Sequence, residues 1–252
     1  MKKNILILGG KSKVGIAIAK QFASKGYNIL SAGRQINTLN NLKDNISKKY
    51  NIEFQLIEFD ILEYEKFNSF INSLSLRPCA IICVIGKLDK VDSSVSQVLE
   101  KNIVLQTNYV GPALLLDMFA EEFSKEQENL SIIGISSVAG ERGRASNYFY
   151  GSAKSGFTQY LSGLRQKYNL TNINVITIKP GFIDTEMIAD LTPPKFLVTT
   201  PDELAGMIYS AYKENKLIVY TRYWKYIMLL IKIIPESIFK KFNSKIKLII
   251  HA

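Results

Sequence analysis

The sequence predicts an α/β fold, a doubly wound parallel sheet of seven strands with helices on both faces. Three observations point to it. Short apolar, β-rich runs alternate with longer segments of helical period from residue 3 to 221. The runs are almost continuously hydrophobic, as strands covered on both faces must be. The first run passes through a glycine-rich turn into an amphipathic helical stretch.

The candidate strands are, in order, "NILIL", "NILSAG", "EFQLIEF", "AIICVIG", "LSIIGISS", "NVITIKP" and "LIVYT". The first follows two lysines and so imitates a signal peptide, but its apolar stretch is short and runs straight into glycine, which makes it a strand. Between the first two strands Val14, Ile18 and Phe22 fall on one helical stripe. No solenoid repeat or low-complexity linker interrupts the pattern, so 1–221 reads as one domain and 222–252 as a basic amphipathic helical tail. The longest break is "GFIDTEMIADLTPPKFLVTTP", 181–201, where Pro193 and Pro194 predict a loop or broken helix. It falls at the crevice such sheets leave beyond the carboxyl ends of their strands, and 182–200 is therefore assigned to the substrate.

A chain of 252 residues, 47% hydrophobic and 21% charged, is globular and long enough to bury a core. Cys79 and Cys83 share one apolar run with no histidine nearby, and read as packing thiols in a reducing cytoplasm; no metal site is expected. The net charge of +10 is concentrated near the C-terminus, where 213–247 hold nine Lys and Arg against Glu214 and Glu236.

The strand ends carry the chemistry. "GGKSKVG", Gly9 to Gly15, turns the first strand into a helix whose N-terminus offers amide groups and positive potential to a pyrophosphate. Lys11 or Lys13 adds charge there or serves solubility. The second strand ends in "SAGRQ", with Arg34 where an acid would hold a ribose 2′-hydroxyl; an arginine suits a 2′-phosphate and favours NADPH over NADH. Asp60 ends the third strand and either accepts from an adenine amine or caps a helix. Asn108 interrupts a long helical segment, as a structural residue or as a polar kink that carries a relay water. Ser136 and Ser137 end the fifth strand, and Pro180 and Gly181 turn the chain after the sixth, ahead of Thr185. In "YFYGSAKSG" Tyr150 and Lys154 stand four apart, on one helical face with only small residues between them. A serine hydroxyl that holds a carbonyl and a phenol that protonates it form an acid/base site.

Gly9-x5-Gly15, Asp60, Asn108, Ser137, Tyr150-x3-Lys154, Pro180–Gly181 and Thr185 together resemble the short-chain dehydrogenase/reductase family over roughly residues 3–221. The resemblance implies a Rossmann fold, a nicotinamide cofactor, which Arg34 makes NADP(H), and an Asn–Ser–Tyr–Lys tetrad. In it Tyr150 is the acid/base, Ser137 orients the carbonyl, Lys154 binds the nicotinamide ribose and lowers the tyrosine pKa, and Asn108 supports a water relay. The cofactor residues are then Gly9, Lys11, Ser12, Lys13, Val14, Gly15, Arg34, Asp60, Gly86, Tyr150, Lys154, Pro180, Gly181, Ile183 and Thr185. Two departures stand out: Lys13 replaces the turn's middle glycine, and "CVIG" at 83–86 replaces the family's Asn-Asn-Ala-Gly, keeping Gly86. Both point away from the commonest fatty-acyl and sugar-alcohol branches; the "LGGKSKVG" turn, "GERGRASNYFYGSAKSG" and the basic apolar tail look more like the branch containing decaprenylphosphoryl-2-keto-erythropentose reductase.

The tail, "YWKYIMLLIKIIPESIFKKFNSKIKLII", mixes large apolar residues with lysines. Lys225, Lys232 and Pro235 break the run of about 20 apolar residues a spanning helix needs. It reads as an interfacial segment with lysines at anionic headgroups and Tyr223, Trp224 and Tyr226 at the boundary; the alternative is cover for a protein interface or the substrate crevice. Nucleic acid is not the expected partner, since long Ile/Leu runs add nothing to phosphate contact. The sole histidine, His251, is expected to have no catalytic part. The expected protein is a cytoplasmic, membrane-peripheral and potentially homo-oligomeric NADPH-dependent reductase of a keto group on a lipid-linked sugar or similar carrier. Alternatives are a reductase of a free lipid, sterol or ketoacyl carbonyl, and a non-enzymatic NADPH sensor tethered to membrane.

Overall fold

The computed structural model describes residues 2–88, 96–125, 128–189 and 192–242; His251 and the end of the tail lie outside them. All seven expected strands form: β1 (Asn4–Leu8), β2 (Asn28–Gly33), β3 (Phe54–Glu58), β4 (Pro78–Cys83), β5 (Leu130–Ile135), β6 (Ile173–Lys179) and, last in the sheet, β9 (Ile218–Tyr220). Their order is β3-β2-β1-β4-β5-β6-β9, every neighbouring pair parallel. The chain winds outward from β1 in both directions, so the crevice opens where β1 and β4 diverge.

Side chains alternate across the strands, and both faces are buried. Leu6 and Leu8 pack with Leu115, Phe119, Phe123, Phe157 and Leu161 on one side. Ile5 and Ile7 pack with Ile18, Phe22, Leu204 and Ile208 on the other. The first layer comes from α3 (Phe67–Asn72), α4 (Ser96–Leu105), α5 (Gly111–Ser124) and α6 (Tyr148–Lys167). The second comes from α1 (Lys13–Ala23), α2 (Asn40–Tyr50) and α7 (Pro201–Lys213), the last started by a capping box between Thr200 and Glu203. Of the α1 stripe, Ile18 and Phe22 are buried and Val14 is partly so. Cys83 is buried and Cys79 half-buried, both reduced thiols on β4.

Two local features depart from simple expectation. A π-helical turn at Gln106–Val110 joins α4 to α5, giving Asn108 the break its poor helix propensity predicted. Within 181–201 a small parallel ladder forms between β7 (Phe182–Ile183) and β8 (Val198–Thr199), which the two prolines did not foretell. It pins both ends of the segment beside the sheet.

Beyond β9, α8 (Trp224–Ile233) and α9 (Glu236–Phe239) follow, separated at Pro235. Trp224, Met228 and Ile231 bury themselves against Val138, Phe182 and Leu197 in a third, smaller core at the crevice rim.

Candidate active site

The site is assembled by the exits of β4 and β5, the π turn and the first turns of α6. Ser137 continues β5 in extended conformation, and its Oγ accepts from the Ala139 amide at 3.1 Å. Its neighbour Ser136 is turned the other way: its hydroxyl donates to the Lys154 carbonyl at 2.9 Å and meets Thr158 Oγ1 at 2.6 Å, tying α6 to the sheet. Of the two serines, Ser137 is the one whose hydroxyl acts on the phenol of Tyr150, which α6 carries two residues from its start.

Lys154 lies one turn further along the same face, 3% exposed. Its Nζ donates to the carbonyls of Ile135 (3.1 Å) and Ile85 (3.4 Å) and stands 5.8 Å from the centroid of the Tyr150 ring. The π turn delivers a fully buried Asn108 to the same wall. Its amide nitrogen donates to the carbonyls of Lys87 (2.7 Å) and Val104 (2.8 Å), and its oxygen accepts from the Lys87 amide at 3.2 Å. Asn108 thus fixes the chain leaving β4. Gly86 sits between: a Cβ there would lie 3.2 Å from Asn108 Oδ1 and 3.5 Å from Lys154 Nζ. All four expected tetrad residues are therefore gathered at one wall of the crevice.

The nucleotide side lies across the same crevice. Gly9 adopts φ +92°, and its amide and that of Gly10 both donate to the Ala32 carbonyl. A Cβ on Gly15 would stand 2.6 Å from the Gly9 carbonyl oxygen, so the turn closes only around hydrogen. Ser12 caps α1, accepting from the Gly15 amide at 3.0 Å and donating to the Gly9 carbonyl at 2.9 Å. At the end of β2, Lys11 Nζ bonds Gln35 Oε1 at 3.0 Å and the exposed Arg34 guanidinium lies 3.7 Å from Asp60. Asp60 also caps its own turn, accepting from the Leu62 amide at 3.0 Å.

The short chain dehydrogenase family profile matches residues 3–195. The chain belongs to the short-chain dehydrogenase family. An uncharacterised oxidoreductase of Mycobacterium tuberculosis (strain ATCC 25618 / H37Rv) is 27% identical over 219 residues, spanning 86% of this chain and 87% of the relative. The 3-oxoacyl-[acyl-carrier-protein] reductase FabG of Aquifex aeolicus (strain VF5) is 26% identical over 191 residues, 74% and 76% of the two chains. A short-chain dehydrogenase from Sphingobium yanoikuyae, solved in complex with NADPH, superposes with a TM-score of 0.78 at 18% identity, covering 93% of this chain and 97% of that one.

The dehydrogenase's electrostatics correct one expectation. Burial pushes the Tyr150 phenol up to about 12, opposed by its bond with Ser137. Burial also brings the Lys154 ammonium down to about 8. The protein's own groups therefore do not acidify the tyrosine: desolvation wins, and the ammonium points at two backbone carbonyls. Cys83, behind the lysine, is pushed up to about 11 by burial and stays a neutral thiol.

The residues fit a dinucleotide. The Cβ-free turn of Gly9 and Gly15 and the first turn of α1 form a cradle for a pyrophosphate, and Lys11 and Arg34 stand where a 2′-phosphate would need cations. Val14 is largely occupied with packing. Lys13, in place of the middle glycine, forms a 2.8 Å ion pair with Glu186, just past Thr185, and so links the glycine turn to the 181–201 segment. Thr185 Oγ1 donates to the Ile183 carbonyl at 3.3 Å, and the Pro180 carbonyl accepts from the Val138 amide at 3.0 Å.

Gly181 is required for a reason the turn alone did not suggest: a Cβ there would stand 1.9 Å from Trp224 Nε1. Trp224 was expected at a membrane boundary; it is fully buried, its indole N–H donating to the Leu197 carbonyl at 3.2 Å. A tryptophan flanked by tyrosines has the same composition in a boundary belt and on a bifacial helix, and only the packing distinguishes them. The sequence reading also missed Glu58, whose carboxylate accepts from the amides of Gln35 (2.6 Å) and Ile36 (3.1 Å) and shapes the turn bearing Arg34. Glu141, joined to Lys179 and Lys232, was missed as well. Neither has a sequence signal, since each partner is far along the chain.

Proposed function

We propose that this oxidoreductase is an NADPH-dependent carbonyl reductase whose substrate is a keto group on a lipid-linked sugar or comparable lipid-borne carrier, worked on at the cytoplasmic membrane surface. The observation that carries the reaction class is the buried Tyr150 phenol, which the Ser137 hydroxyl influences, with Lys154 one helical turn along and its Nζ 5.8 Å from the ring centroid. NADPH, held by the Gly9–Gly15 turn with Lys11 and Arg34, would supply the hydride that a carbonyl carbon accepts. Tyr150 Oη, protonated at neutral pH, holds the proton that the carbonyl oxygen takes up, and Ser137 Oγ orients that oxygen. Lys154 keeps a positive charge near the phenol, its Nζ held by the Ile135 and Ile85 carbonyls, and would also contact the nicotinamide ribose. Ser137, Tyr150 and Lys154 are all buried, so a charge developing on the oxygen meets fixed donors in a poorly hydrated setting.

Lys11 and Arg34 support NADPH over NADH, as does the NADPH bound to the Sphingobium relative. The resemblance of "LGGKSKVG", "GERGRASNYFYGSAKSG" and the tail to the branch of decaprenylphosphoryl-2-keto-erythropentose reductase suggests the carrier class, and the tail supports a membrane setting. The acyl-carrier-protein reductase among the relatives favours a ketoacyl carbonyl as the second reading. Purified protein should oxidise NADPH in the presence of a ketone and prefer it to NADH by tenfold or more, with Tyr150→Phe inactive. Lipid extracts from a deletion strain should accumulate a keto precursor on a polyprenyl or similar carrier; accumulation of ketoacyl species instead would select the second reading. Binding of NADPH without turnover of any carbonyl would leave only a cofactor-sensing role.

A further inference from the structure

Helix α8 carries two apolar stripes of the same spacing. Trp224, Ile227, Met228 and Ile231 follow the i, i+3, i+4, i+7 rule and face the body of the protein. Tyr226, Leu229, Leu230 and Ile233 follow it again on the opposite side. These four are exposed by 65%, 59%, 68% and 69%, and Tyr223, at the helix start, by 61%. A soluble surface helix shows one such stripe. We infer that the outward stripe of α8 is a membrane-docking face, seated in the headgroup layer of an anionic bilayer while the inward stripe stays fixed to the protein.

The inward attachment is built to hold. Glu141, on the segment between Ser137 and Tyr150, has a side chain only 4% exposed; it accepts from Lys179 of β6, from Lys232 of α8 at 2.6 Å and from the Tyr220 hydroxyl at 3.0 Å. Next to it Arg142 pairs with Glu236 at 2.6 Å and lies 4.3 Å from the centroid of the Phe239 ring, fastening α9 too. Peeling α8 away would take one of the buried Glu141 carboxylate's partners from it and expose Trp224. Insertion across the bilayer is excluded by length, since ten residues reach about 15 Å against a ~30 Å hydrocarbon core. The one helix among the described residues with the length and hydropathy to span, Val98–Ser124, carries Asn108 and packs Leu115, Phe119 and Phe123 into the core.

Charge selects lipid over a second copy of the chain. Exposed Lys225 stands on α8 next to the stripe, and exposed Lys240 and Lys241 follow on the turn after α9: they match anionic headgroups and would repel their counterparts across a self-paired interface. One face of a ten-residue helix also falls short of the ~800 Å² per partner of a stable protein–protein contact. Because α8 rests on Val138, Phe182 and Leu197, a docked α8 sets the crevice rim against the membrane, where a lipid-borne carbonyl is delivered. This last consequence rests on the reductase reading above; the docking face does not.

The test uses the full chain with vesicles of phosphatidylcholine with and without about one-third phosphatidylglycerol, read by flotation. Wild type should float with the anionic vesicles, and Leu229→Asp combined with Leu230→Asp should cut binding at least tenfold while leaving NADPH oxidation with a water-soluble ketone unchanged. Trp224 is the chain's single tryptophan and faces inward, so brominated lipids should leave its fluorescence unquenched in the bound protein. Undiminished flotation of the double variant overturns the proposal, as does strong quenching, which would mean that the helix peels off and inserts. A wild-type dimer that the variant dissociates in sedimentation, without vesicle binding, would hand the face to a second copy. Failure to turn over any ketone would sink the reductase reading and leave the flotation result standing.

Discussion

Replacing Lys154 by Met should change stability in a way that depends on pH. The ammonium is 3% exposed and held near 8 instead of its ordinary 10.5. At ~1.4 kcal/mol per pH unit, that difference means that burying the charge costs the folded state about 3 kcal/mol at neutral pH. The sign follows from linkage: between about 8 and 10.5 the unfolded chain binds the proton and the folded one does not, so wild-type stability rises with pH. The contribution is complete above the unfolded value and is lost as pH falls through the folded one. Met fills similar volume without charge but gives up the bonds to the Ile135 and Ile85 carbonyls, a pH-independent loss of ~1 kcal/mol each. At pH 7 the variant should therefore match or slightly exceed wild type while being catalytically dead. By pH 10.5 it should be the weaker protein by about 2 kcal/mol, the charge penalty having vanished from wild type alone. Guanidinium unfolding of both proteins at pH 7, 8.5 and 10, followed by circular dichroism, measures the difference with other titrations cancelling. A difference flat across that range would refute the picture of a desolvated, reluctantly charged lysine.

Gly181→Ala should destabilise by ~1–3 kcal/mol through its collision with Trp224, visible as a lowered Tm; adding Trp224→Leu should recover part of the loss, and a silent Gly181→Ala would show that α8 does not pack there. Tyr150→Phe should lower kcat by roughly 10²–10⁴, because the hydroxyl moves the proton, with a much smaller change in NADPH affinity measured by fluorescence titration. Glu141→Gln should cost about 3–5 kcal/mol by stranding the buried Lys179. Burial raises the Glu141 pKa, but hydrogen bonds to Lys179 and Lys232 overcome that and hold it below the ordinary carboxylate value. Its contribution is present above the unfolded value and fades as pH falls through the folded one, so thermal melts of wild type and variant should converge in acid.

What the sequence determined by itself is local or periodic. Strand positions follow from continuous apolar runs, α1 from its stripe, the turn at Gly9–Gly15 from its glycines, and the Tyr150–Lys154 face from helix geometry alone, because each signal lies within a few residues of chain. Even the break at Asn108 was legible, since one poor helix former in an apolar helix has to be accommodated. Tertiary structure decided everything that depends on who meets whom: that Ser137 and not Ser136 faces the phenol, that Lys13 reaches Glu186, that Gly181 is glycine for Trp224, and that Trp224 turns inward while Leu229 and Leu230 turn out. It also decided the charge states at the site. A pKa measures how completely water has been removed around a group, and that is a property of the packed neighbours from distant segments, which no spacing along the chain encodes.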